Sequence, residues 1–140
     1  MSLDSLVDFL NALSLVLVLL VAGIPLILAR YIKFKRFLLF LLSTLILSFL
    51  GSTFFLFFKE EVIPNFLFHV YGFNPYGMGG EEQWTKAISA TDRAEIQEIY
   101  EGTMGIGWPL KLLLSFVILG IPYNIVACGL VDFYQRKYKK

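Results

Sequence analysis

A single histidine, His69, and a single cysteine, Cys128, occur in 140 residues. One cysteine excludes an intrachain disulfide. One histidine with no cysteine beside it falls short of the ligand sets of zinc and haem sites, so no metal or cofactor is expected. Charge is also scarce, at 16% of residues against ~25% in an ordinary soluble domain. The glycine-rich stretches 77–80 and 102–107 lack the lysine and the strand–turn–helix setting of a phosphate loop. No serine sits in a nucleophile elbow. Glu60 and Glu61, like Glu81 and Glu82, are adjacent in sequence, and adjacent helical residues do not share a face. No catalytic pair is expected from either.

What the chain has instead is three long apolar runs, at about 3–29, 37–58 and 107–131. A hydrocarbon core about 30 Å thick is crossed by ~20 apolar residues of helix, and each run is long enough. Inside lipid only helices or closed barrels satisfy the backbone. These runs lack strand alternation and are too long for barrel strands. The reading is an all-α integral membrane protein with three transmembrane helices, forming one membrane domain over 1–140. A roughly 48-residue extracytoplasmic loop, 59–106, joins the second and third spans.

Charge sorting gives the orientation. Arg30, Lys33, Lys35 and Arg36 lie between the first two runs, and Arg136, Lys137, Lys139 and Lys140 follow the third, so eight of the twelve basic residues fall on one side. Short cytoplasmic loops carry the Lys/Arg excess. The C-terminus is therefore expected in the cytoplasm and the N-terminus and loop outside, by default in a bacterial inner membrane. The first run starts with Asp4 and Asp8 and has no basic residue before Arg30. A signal peptide has a basic start and a shorter core, so the first helix is expected to be retained. The external side carries ten of the eleven acidic residues, which argues against nucleic acid as a partner.

Leu, Ile, Val and Phe gain little by leaving lipid for one another, so the helices must associate through small residues and polar contacts. Thr44, Ser48 and Ser52 recur every four residues on the second run, beside Gly51; Gly120, Asn124 and Cys128 do so on the third. Each stripe lies on one helix face and is expected to be a packing face. Pro25 and Pro122 predict kinks, with Asn124 placed to bond a carbonyl that Pro122 frees. Lys111 is expected to snorkel past Trp108, and Asp132 to pair with Arg136 one turn on. No ionisable residue lies mid-run, which argues against a proton relay or voltage sensor.

The loop is too long for a bare connection. Its first part, 62–76, is aromatic but too short to span, and reads as a reentrant or interfacial segment near 65–71. The alternation of Phe66, Phe68 and Val70 also permits a short strand. Phe66, Phe68, Tyr71, Phe73, Tyr76 and Trp84 are expected at headgroup level, and 76–80 forms a turn. A short helix is expected over 81–88. A second is expected over 92–101, capped by Thr91, ended by Gly102 and turning Ile96, Ile99 and Tyr100 inward. Trp84, Glu95, Glu98 and Tyr100 are the candidate partner-binding residues.

Three functions compete. The leading one is a non-enzymatic partner protein: a small accessory or assembly subunit of a membrane complex, or a membrane immunity protein. Its partners would be lipid and other integral membrane or envelope proteins. The second is a pore former, since phage holins with three spans, an external N-terminus and a basic cytoplasmic tail share this topology, although the long acidic loop departs from their compact hairpins. The third is a small membrane enzyme acting on lipid through His69, Glu81 or Glu82.

Overall fold

The computed structural model describes residues 3–31, 37–77 and 83–138. Lys33, Lys35, Arg36, Glu81, Glu82, Lys139 and Lys140 lie outside them. The described residues are all helical, without strands: α1 (Leu3–Tyr31), α2 (Phe37–Phe57), α3 (Ile63–Tyr71), α4 (Ala90–Thr103), α5 (Trp108–Ser115) and α6 (Ile121–Tyr138). Three helices are long and apolar enough to cross a membrane: Leu3–Arg30, Phe37–Tyr71 and Trp108–Lys137. They form a bundle in which α1 packs on α2 and α6, and α2 on α5 and α6.

The second helix overturns two expectations. It does not stop at Phe58. A π-helical turn, Phe58–Val62, joins α2 to α3, and the helix runs unbroken for 35 residues to Tyr71. Residues 62–71 are therefore neither a reentrant loop nor a strand, but the continuation of the second long helix. At 1.5 Å per residue the helix is about 52 Å long, well beyond a hydrocarbon core of about 30 Å. Its charges, Lys59, Glu60 and Glu61, sit in the π turn. The third helix has the same construction, with a π turn over Phe116–Gly120 between α5 and α6. Each π turn ends two residues before a proline, Pro64 or Pro122. A proline removes one backbone donor and crowds the preceding turn, and a wider turn just upstream relieves that crowding without ending the helix.

The bundle is polar inside and apolar outside. Thr44, Ser48, Asn124 and Cys128 are all at most 3% exposed, whereas Leu19, Leu119, Val126 and Ile118 are more than 60% exposed. Leucine and isoleucine outside and hydroxyls and amides inside is the arrangement that lipid selects.

A separate core forms beyond one end of the bundle. Leu3 and Leu10 of α1, Leu67 and Phe68 of α3, Phe73, and Ile96 of α4 are buried together, with Trp84, Ile99 and Tyr100 packed around them. This head thus borrows the first turns of α1 and the end of the second helix. Phe68, Phe73 and Trp84 belong to this core rather than to a headgroup belt. Gly72 ends α3 in the left-handed region (φ 69°), and a Cβ there would lie 2.6 Å from Thr85 Oγ1, so glycine is required. The chain then doubles back through an antiparallel bridge between Phe73 and Trp84, with the Thr85 amide donating to the Gly72 carbonyl at 2.8 Å. Residues 84–89 carry no helix. α4 is capped by Ser89, whose Oγ accepts from the Asp92 amide at 3.1 Å, in place of the expected Thr91. It runs through Gly102 to Thr103.

Candidate functional site

The two small-residue stripes are brought against each other. Helices two and three are antiparallel, so positions that rise along one descend along the other. Thr44 lies within hydrogen-bonding reach of Cys128, and Ser48 Oγ donates to Asn124 Oδ1 at 2.9 Å. One turn further, Ser52 and Gly120 line opposite walls of a cavity of about 560 Å³ that also meets Val18, Val21 and Phe55. Thr44 donates to the Phe40 carbonyl at 2.8 Å, and Asn124 Nδ2 to the Gly120 carbonyl at 2.7 Å. That carbonyl lies one turn back from Asn124 itself. The one left without its α-helical donor by Pro122 is Ile118, so Asn124 does not bond the carbonyl that the proline frees. Gly51 faces α1, where an added Cβ would approach Val21 Cγ2 to 2.9 Å.

The third helix is also tied to the first. Tyr123 donates its hydroxyl to the Ala22 carbonyl at 2.6 Å, next to Val21, the carbonyl deprived of an amide by Pro25. Gln135 Nε2 donates to the Ala29 carbonyl at 3.2 Å. Both are polar contacts between helices that otherwise present apolar side chains to each other.

Two ion pairs mark the ends of the apolar slab. Lys111 Nζ meets Glu60 Oε2 at 2.5 Å, so Lys111 reaches across to the π turn of the second helix rather than snorkelling alone. Arg136 meets Asp132 at 2.9 Å at the opposite end.

Of the four candidate partner-binding residues in the head, two turn inward. Tyr100 stacks edge-on against Phe68 and Phe73 and donates to the Pro75 carbonyl at 3.1 Å. Trp84 packs on Phe73 with centroids 4.8 Å apart and carries the Arg93 guanidinium at 5.3 Å over its ring. Glu98 is exposed. Glu95 is half-buried beside Asp4 of α1; burial, then Asp4, Asp92 and Glu98, push its carboxyl above the usual carboxylate range. His69 is exposed on α3. Among the described residues no group of three or more His, Cys, Asp or Glu is placed to hold a metal ion.

No protein-family model, curated protein or solved structure matches this chain.

Proposed function

We propose that the protein is a non-enzymatic membrane partner protein, a small accessory or assembly subunit of a membrane complex or an immunity protein, that presents its head outside a bacterial inner membrane. The observation that carries this reading is the division of labour in the head. The apolar face of α4 is fixed in a core shared with α1 and α3. Its other side leaves Glu98 and Glu101 exposed. A helix held away from lipid by two spanning helices, with acidic side chains turned to water, suits recognition of a basic protein surface. The N-out, C-in orientation follows from the basic residues at the opposite end.

The pore-former reading has less support. Copies that line a pore need polar faces to present to it, and Thr44, Ser48, Asn124 and Cys128 face one another within a single chain.

Mild solubilisation from the native host, followed by identification of co-purifying membrane proteins, tests the proposal. A stoichiometric partner whose retention weakens on charge reversal at Glu98 and Glu101 is expected. Recovery as a lone monomer in several mild detergents would overturn it.

A further inference from the structure

Between the head and the bundle lies a cleft of about 330 Å³, lined by Glu60, Glu61, Asn65, Tyr76, Tyr100 and Trp108 among others. Its size falls in the range of small-ligand sites. Its depth is fixed by two contacts. Trp108 sits edge-on to Phe57, the last residue of α2, with centroids 5.8 Å apart, and Lys111 closes on Glu60 one turn along. Both contacts occur where the apolar runs give way to charge, which is the level of lipid headgroups.

The charge of the cleft is unbalanced. Glu60 is neutralised by Lys111. Glu61 has no cation within ion-pair distance among the described residues; its polar contact is Asn65 Nδ2 at 3.5 Å. The same cleft is lined by the aromatic residues Trp108 and Tyr76, the latter 94% exposed. A carboxylate next to accessible aromatic rings is the chemistry that holds an ammonium group, by charge and by the ring quadrupole together. The Lys111 side chain, bonded to Glu60 of the cleft, stays 35% exposed despite its ion pair. An unpaired carboxylate and a partly exposed ammonium therefore stand on neighbouring helices at the same level.

We propose that this cleft binds the ammonium headgroup of a zwitterionic membrane lipid, with Glu61 and the rings of Tyr76 and Trp108 on the ammonium and Lys111, held at the cleft by Glu60, toward the phosphate. The proposal rests on the three helices being spans, and not on any protein partner. Depth favours a lipid over a basic side chain of another protein, because the cleft lies at the level where the apolar runs give way to charge.

The test uses the full-length chain in nanodiscs of equal phosphatidylethanolamine and phosphatidylglycerol, with retained lipid read by native mass spectrometry. The wild type is expected to retain phosphatidylethanolamine over phosphatidylglycerol by about fivefold or more, the ratio one charge-assisted contact supplies. Glu61→Gln and Trp108→Leu are expected to abolish the preference. Thermal unfolding in the same nanodiscs checks the fold; should either variant unfold, Tyr76→Ala, at a site almost fully exposed, takes its place. A wild type without headgroup preference, or a folded Glu61→Gln protein that keeps it, overturns the proposal. So does displacement of the retained lipid by a short lysine-rich peptide, which would assign the cleft to a basic protein segment.

Discussion

Ser48 and Asn124 meet at 2.9 Å near the middle of the bundle, 76 residues apart in sequence. The asparagine amide then reaches back to the Gly120 carbonyl at 2.7 Å, beside the π turn. One side chain thus ties the second helix to the third and bonds back to its own helix one turn earlier. Such bonds in lipid average about 0.6 kcal/mol and reach about 1.7. A double-mutant cycle of Ser48→Ala and Asn124→Ala, by reversible unfolding in bicelles, is expected to give a coupling in that range, with Asn124→Ala the costlier single change. Additive effects would show that the two residues do not act together.

Gly51 and Gly129 form a matched pair. A Cβ at Gly51 would lie 2.9 Å from Val21 Cγ2, whereas nothing lies within 4 Å of one at Gly129. Gly51→Ala is expected to push α1 from α2 and cost about 1–3 kcal/mol, as overpacking does. Gly129→Ala is expected to be neutral or slightly stabilising, because alanine favours helix. The same unfolding assay reads both, and equal effects would mean that α1 and α2 do not approach closely at Gly51.

The three spans were legible because lipid imposes a length and a composition that nothing else in the chain satisfies. The stripes at 44, 48, 52 and 120, 124, 128 were legible as faces, though not as each other's partners, since pairing depends on the antiparallel register of two distant segments. The extension of the second helix was not legible. Lys59, Glu60, Glu61 and Pro64 together read as a boundary, and only the π turn lets the helix carry the charges and meet the proline. The inward face of α4 followed from the spacing of Ile96, Ile99 and Tyr100. That Leu3 and Leu10 complete its core was not legible, because Asp4, Asp8 and Asn11 make the start of α1 more polar than the rest of the run without saying which distant loop residues it packs against.

Glu95 makes the head sensitive to pH. Burial first, and Asp4 second, raise its carboxyl above the ordinary value, so the folded head holds the proton more tightly than the unfolded chain. This contribution to stability is fully present below the ordinary carboxylate range and is lost as pH rises through the raised value. Head unfolding, followed by Trp84 fluorescence in a Trp108→Phe background, is expected to occur more readily at neutral than at mildly acidic pH. Glu95→Gln should flatten the profile and stabilise the head at neutral pH. A profile unchanged by Glu95→Gln would place the titrating group elsewhere.

The head and the bundle are expected to fail separately. Ile96 is 0% exposed and lies in a cluster built from α1, α3 and α4. Ile96→Asp places a carboxylate inside that apolar cluster, and burying a charge there is costly. None of the contacts between Ser48 and Asn124, Tyr123 and Ala22, or Gln135 and Ala29 involves the head. The variant should therefore lose protease resistance over 72–107 while reporter fusions at the C-terminus still read as inserted and cytoplasmic. Ile99→Asp, at a partly buried position on the same face, should act in the same direction and less strongly. Replacing 72–106 by a Gly/Ser linker is a different perturbation. It strips Phe73 and Ile96 from the cluster and uncovers Leu3, Leu10, Leu67 and Phe68, an apolar patch above the bundle. Aggregation in mild detergent is expected from that deletion, and Leu67→Ser combined with Phe68→Ser should reduce it. If the deleted chain is as well behaved as the intact one, the ends of α1 and α3 are covered by something other than the head.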